Sequence, residues 1–199
     1  LMLVVVDEEE KAYGILQLNR DTITEVPMLL QDGSANASAQ MQLCTAHWYG
    51  KDKAASCDNT VETVSKMLGG LPIDGYYALT MPLLNHEVGG VTVTLEDDMT
   101  KLDPAMKKGA TLTLTDRQAE LLMQSRYAMD DDRNTQRMRR QQIFLNAFMK
   151  KIKKQNAGDV NATVKLYDRL RPYATTDIKM NDLTALLKNM QGYTDKGII

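Results

Sequence analysis

Short β-branched runs alternate along this chain with segments of helical periodicity, and that alternation points to a layered α/β fold. Leu1-Met2-Leu3-Val4-Val5-Val6 reads as a buried strand. Tyr13 to Leu18 reads as a second strand, with Asp7 to Lys11 as the polar connection of a hairpin. Asn19-Arg20-Asp21-Thr22 then falls at a strand end, the edge of an α/β sheet where ligands gather. Ile73 to Leu79 is a third strand, and the alternation Val-Thr-Val-Thr-Leu over Val91 to Leu95 is a half-exposed fourth.

The helices fall between and after these runs. Gln31 to Ala39 is rich in small and polar residues and reads as a loop, Gln40 to Tyr49 as a short helix and Lys51 to Asp58 as a polar loop. Asn59 to Leu68 carries Val61, Val64 and Leu68 on one face and closes on Gly69-Gly70, a helix stop. Pro82 to Val88 is a short helix ended by Gly89-Gly90. Thr115-Asp116-Arg117-Gln118 matches a capping box and starts a helix toward Arg126. After the charged loop Asp130 to Asn134, a long helix from Thr135 to about Gln155 sets Met138, Leu145, Phe148, Met149 and Ile152 at helical spacing. Ala162 to Leu170 and Asp182 to Met190 are two further helices.

Composition narrows the function classes. With 43% apolar and 25% charged residues, 199 residues can bury the core of a single domain. The net charge of −2 argues against a general nucleic-acid binder, whose surface is basic. No apolar run approaches the ~20 residues that span a bilayer. A chain that opens inside a core strand reads as trimmed, so a preceding segment is expected. Cys44 and Cys57 are either a disulfide or two free thiols, and nothing in their spacing supports a zinc site. His47 and His86 read as structural, and the methionines as core filling.

The arginines are the chemically suggestive feature. Arg137, Arg140 and Gln141 sit at i, i+3 and i+4, on one face near the start of the long helix. A helix start already favours anions, and a planar guanidinium pairs two oxygens at once. Two readings stand on the residues alone: an anion site, or a solvated face neutralised by Asp130 to Asp132.

Five ordered motifs bear on that choice. Leu18-Asn19-Arg20-Asp21-Thr22 resembles "IPRDT", and Pro72-Ile73-Asp74-Gly75-Tyr76-Tyr77 resembles "PIDYY". Val88-Gly89-Gly90-Val91-Thr92-Val93 is similar to "VGGVxV", and Lys107-Lys108-Gly109 with Leu114 to Ala119 to "KKG…LNGxQAL". Ser125-Arg126-Tyr127 followed by Arg137-Met138-Arg139-Arg140-Gln141-Gln142 resembles "RSRY…RxxRQQ". In this order they resemble a LytR–CpsA–Psr domain over roughly Leu1 to Lys154, with 155–199 similar to the family's variable C-terminal helical part.

The resemblance implies a mixed central β-sheet sandwiched between helices, with an apolar tunnel for a lipid. It implies a transferase outside the cell membrane of a Gram-positive bacterium, anchored by a helix upstream of Leu1. The enzyme would move a glycopolymer such as teichoic acid or capsule from a polyprenyl-pyrophosphate carrier to peptidoglycan, with Mg2+ assisting and nucleic acid playing no part. By position, Arg20 and Asp21 take the catalytic place, and Arg126, Arg137 and Arg140 bind phosphate with Gln141 orienting them. The oxidising setting implies a Cys44–Cys57 disulfide. Departures are Asn19 for the proline, Gln124 for the first arginine of an "RxR" pair and Asn134 for an aspartate. The family's aspartate before the first strand would precede Leu1. Together they imply weakened chemistry, or a binding module that holds a lipid-linked precursor without turning it over.

Overall fold

A computed structural model describes residues 1–30, 32–79, 81–125, 134–156 and 159–198. The chain is an α/β protein whose residues group into two compact units, a finer division than the single domain the sequence suggests. The first holds residues 18–79, Leu1 and 173–179; the second holds residues 2–17, 80–172 and 180–199. The C-terminal part therefore forms no body of its own.

In the first unit, β3 (Ile23–Leu29) and β4 (Ala35–Gln42) form an antiparallel hairpin. A 3-10 helix follows at Leu43–Trp48, then α1 (Lys53–Met67). Two short strands, β5 (Tyr77–Ala78) and β8 (Thr175–Thr176), pair antiparallel. Three readings of the sequence are corrected here. The stretch read as a loop over residues 31–39 holds most of β4, which runs on to Gln42, so the short helix expected from Gln40 begins only at Leu43, as the 3-10 helix. The period-2 pattern of β4 hides because the less polar member of each pair, Ala35, Ala37 and Ala39, is alanine. The run 73–79 yields only a two-residue strand. And α1 starts six residues before Asn59, because Asp52 caps it by accepting from the Ala55 N–H at 2.9 Å.

Asn59 has a different task. Buried within α1, it donates to the Pro27 carbonyl at 3.0 Å and the Ala46 carbonyl at 2.9 Å. One amide thereby ties the helix to β3 and to the 3-10 helix, around Val26, Leu43 and Val64. The expected disulfide does not form: Cys44 and Cys57 are both free thiols. Cys44 is half-buried on the 3-10 helix with its Sγ 4.0 Å from Gln42 Oε1, whereas Cys57 is buried in α1. Burial, reinforced by the negative charge of Asp58, raises the Cys57 thiol above its ordinary pKa.

In the second unit, β1 (Met2–Asp7) and β2 (Ala12–Gln17) form the predicted hairpin. The Asp7 carboxylate accepts from the Glu9 and Glu10 amides and so closes the turn. β9 (Thr194–Ile198) adds parallel to β2, giving the order β1-β2-β9. β1 is thus an edge strand with Val4 and Val5 exposed, not the buried strand its composition suggests. α2 (Met81–Glu87) precedes β6 (Thr92–Thr94), which pairs with β7 (Thr111–Thr113). Then come α3 (Asp116–Gln124), α4 (Asn134–Asn156), α5 (Val160–Leu170) and α6 (Met180–Asn189).

The capping box at Thr115 forms with both of its hydrogen bonds. Asn85, fully buried, donates to the Leu114 carbonyl and Asp116, and accepts from the Val91 N–H. It therefore fixes the end of α2 against the start of α3. The core around these bonds is Val91, Leu95, Met99, Met106, Leu122 and Phe144.

Candidate functional site

The inward face of α4 is unusual. Its buried positions are Arg137, Arg140, Phe144, Leu145 and Phe148. The spacing 137, 140, 144, 148 is one continuous helical stripe, apolar at its C-terminal end and cationic at its N-terminal end. The Phe144 and Phe148 rings stack with centroids 6.3 Å apart. The two arginines stand where a soluble helix ordinarily presents leucine. Buried guanidinium groups must be hydrogen-bonded, so their partners define what this end of the helix does.

Arg140 is the more fully engaged. Its Nε donates to the Leu122 carbonyl at 2.8 Å and one terminal nitrogen to the Ser125 carbonyl at 2.5 Å. The other terminal nitrogen pairs with Asp97 Oδ2 at 3.1 Å. Both carbonyls belong to the C-terminal end of α3, where the last turn leaves acceptors unpaired. Arg140 thus caps α3 from the side, and the Asp97 carboxylate, itself only partly exposed, balances its charge. The neighbouring Arg139 faces solvent and pairs with Glu96 at 2.5 Å. The carboxylates paired with Arg139 and Arg140, Glu96 and Asp97, come from the loop after β6 and are not singled out by the sequence reading, whereas Asp130 to Asp132 lie outside the described residues.

Arg137 is buried beside Arg140, and one terminal nitrogen donates to Asn134 Oδ1. Gln141 links three elements. Its Nε2 donates to the Met123 carbonyl at 3.2 Å, and its Oε1 accepts from Gln17 Nε2 at 3.3 Å. Gln17, the last residue of β2, also donates to the Met138 carbonyl at 3.1 Å. The sequence reading misses Gln17; a polar residue at the buried end of a strand is the signal that could have found it.

Arg20 and Asp21 lie in the first unit, in a turn shaped by Asn19, whose Oδ1 accepts from the Asp21 N–H at 2.9 Å. The Arg20 backbone carbonyl accepts from the Cys44 N–H. The Arg20 Nε stands 3.8 Å from Asp21 Oδ1, an ion-pair distance too long for a hydrogen bond. That Nε is buried without a hydrogen-bond partner among the described residues, while the side chain as a whole is 43% exposed. Arg126 lies outside the described residues.

Mg2+ prefers oxygen ligands, often one or two carboxylates plus the phosphates of a substrate. Among the described residues no three His, Cys, Asp or Glu side chains gather as a metal site. The described side chains do not complete a cage by themselves.

Comparison with known proteins bears on what this arrangement serves. The model of the LytR_cpsA_psr family matches residues 1–199. The chain belongs to that family. Membership assigns this LytR–CpsA–Psr protein to cell-wall glycopolymer transfer in general. Its fold resembles that of Bacillus subtilis TagV, with a TM-score of 0.69 at 24% identity over 100% of this chain and 75% of TagV. It also resembles gbs0355 from Streptococcus agalactiae, with a TM-score of 0.74 at 21% identity over 100% of this chain and 68% of that one. TagT bound to LIIa-WTA is similar too, with a TM-score of 0.67 at 22% identity over 100% of this chain and 71% of TagT. A comparison with curated protein sequences finds no match. Among the described residues no helix is long and apolar enough to cross a membrane.

Proposed function

We propose that this LytR–CpsA–Psr protein transfers a glycopolymer of the teichoic acid or capsule type from a polyprenyl-pyrophosphate carrier to peptidoglycan, at the outer face of the cell membrane. The observation that carries the proposal is the cationic end of the buried α4 stripe, because such a stripe has no reason to end in two arginines unless an anion or a carbonyl cluster needs them. Phosphoryl transfer asks mainly for positioning and charge stabilisation, which fixed guanidinium groups supply. Arg137 and Arg126 would hold phosphate oxygens, and Arg20 would contact the pyrophosphate with Asp21 beside it. Arg140 would act by fixing the Ser125 carbonyl, immediately before Arg126. Mg2+, when bound, would supply charge neutralisation at the pyrophosphate. TagT is known bound to LIIa-WTA and LI-WTA, ligands of the class proposed.

A second reading has its own support. Three of Arg140's five N–H donors are spent on the protein, which leaves fewer cations for a transition state and suits a module that binds the precursor without turning it over. The deciding experiment is transfer of a labelled polyprenyl-pyrophosphate-linked glycan to peptidoglycan by the full-length protein. Transfer that is lost in Arg137→Ala supports the transferase. Tight donor binding with no transfer supports the binding module. Polyprenyl lipid identified by mass spectrometry in the purified protein is expected under both, and no affinity for that lipid would refute both.

A further inference from the structure

Gln17 carries an unused acceptor. Both hydrogens of its Nε2 are committed to α4, at the Met138 carbonyl (3.1 Å) and Gln141 Oε1 (3.3 Å). A carbonyl oxygen can only accept, so the bond to Met138 fixes which end of the amide is nitrogen. The amide is planar, and its oxygen is therefore held in one direction, away from those two bonds. Gln17 is 8% exposed, and this Oε1 is buried with no hydrogen-bond partner among the described residues. A buried acceptor without a donor is costly, and one kept beside a cationic helix start invites a ligand group that donates.

The ligand's phosphates cannot be that group, because ionised phosphate oxygens only accept. A hydroxyl can. We infer that Gln17 Oε1 receives the hydrogen bond of the acceptor sugar's hydroxyl and orients its oxygen toward the phosphorus assigned above to Arg137. The inference rests on the transferase reading and deepens it. In the step it serves, the acceptor oxygen forms a bond to the glycan-bearing phosphorus. The bond from that phosphorus to the bridging oxygen breaks, and polyprenyl phosphate leaves with the electron pair. The hydroxyl proton passes to water, since an amide oxygen is too weak a base to keep it. Gln17 orients the nucleophile and takes no proton.

The test compares Gln17→Met with Gln17→Glu in the full-length protein. Both remove the Nε2 donor to α4, and only glutamate keeps an acceptor oxygen. The donor is a polyprenyl-pyrophosphate-linked disaccharide at saturating concentration, and the acceptor is a peptidoglycan oligosaccharide of varied concentration. Gln17→Met is expected to lower kcat/KM for the acceptor about tenfold, the loss of one hydrogen bond, with donor affinity within about twofold of wild type. Gln17→Glu is expected to recover most of that loss. Equal losses in both variants, or no loss in either, would overturn the assignment. So would unfolding of both, which would make the brace to α4 the residue's whole task. A wild-type protein that binds donor but transfers nothing would defeat the transferase reading itself, and this inference with it.

Discussion

Replacing Arg140 with methionine keeps the length and much of the volume of the side chain but removes every donor. The Leu122 and Ser125 carbonyls then lose their partner at the end of α3, and Asp97 loses its counter-charge. A buried polar group left unsatisfied costs about 1–3 kcal/mol. Asp97 is a quarter exposed, so water recovers part of its loss and its share belongs at the low end. The sum is about 4 kcal/mol, a large part of the roughly 5–15 kcal/mol that holds a domain folded. With a urea m-value of about 2 kcal/mol/M, the midpoint should fall by about 2 M. Far-UV circular dichroism is the suitable probe, because most of the long helices lie in the unit that contains Arg140. Arg140→Lys should lose about half as much, since an ammonium keeps the charge but cannot span the same three acceptors. If Arg140 were instead a spare cation kept for substrate, its removal would be neutral or stabilising. A midpoint within about 0.5 M of wild type, with m unchanged, would refute the bracing role and restore Arg140 as a free phosphate ligand.

Other consequences are checked more simply. Both cysteines should alkylate without prior reduction, Cys44 quickly and Cys57 only on unfolding, because burial and its raised pKa keep the Cys57 thiol protonated; an oxidised mass two units lower would contradict this. Asn85→Leu should destabilise by about 2–4 kcal/mol, because the Val91 N–H and Leu114 carbonyl both lose a buried partner; a thermal melt within about 2 °C of wild type would count against it. Asp116 is held below its ordinary pKa first by the Asn85 hydrogen bond and then by His86, so its stabilising effect is present above the unfolded value of 3.8 and lost as pH falls through the lower folded value. The stability gap between wild type and Asp116→Asn should therefore close as urea titrations move from neutral pH to below 3.8, and a gap that widens on acidification would reverse the sign of the argument.

Legibility in the sequence followed the range of the forces. The capping box at Thr115, the stop at Gly69-Gly70 and the extents of α2, α4 and α5 are set by residues within a turn of each other, and periodicity finds them. β4 and β9 are set by distant partners. Thr194-Asp195-Lys196-Gly197-Ile198 has no apolar alternation, and it is a strand because β2 offers a free edge beside it. Asn59 fell on the wrong side of the same divide: locally a helix start, it is in fact a buried bracket between elements far apart in sequence.

The site shows that divide at its sharpest. The offsets of Arg137, Arg140 and Gln141 describe one helix face, but an amphipathic helix has two, and offsets alone do not say which is turned inward. Phase does. Arg140 lies four residues before Phe144 and Arg137 seven before it, so both arginines share the stripe that buries the aromatic pair. A solvated face would have set them opposite Phe144. Once they are inside, their roles separate by partner. A guanidinium that binds substrate must keep donors in reserve, whereas one that closes a helix end must spend them. Arg140 spends three, at Leu122, Ser125 and Asp97, and its place in the family motif is then explained by what it holds still: the end of α3, one residue before Arg126. On that argument Arg140→Lys, with donor concentration saturating, should lower kcat with little change in donor affinity; a loss of donor affinity with kcat unchanged would make Arg140 a phosphate ligand instead.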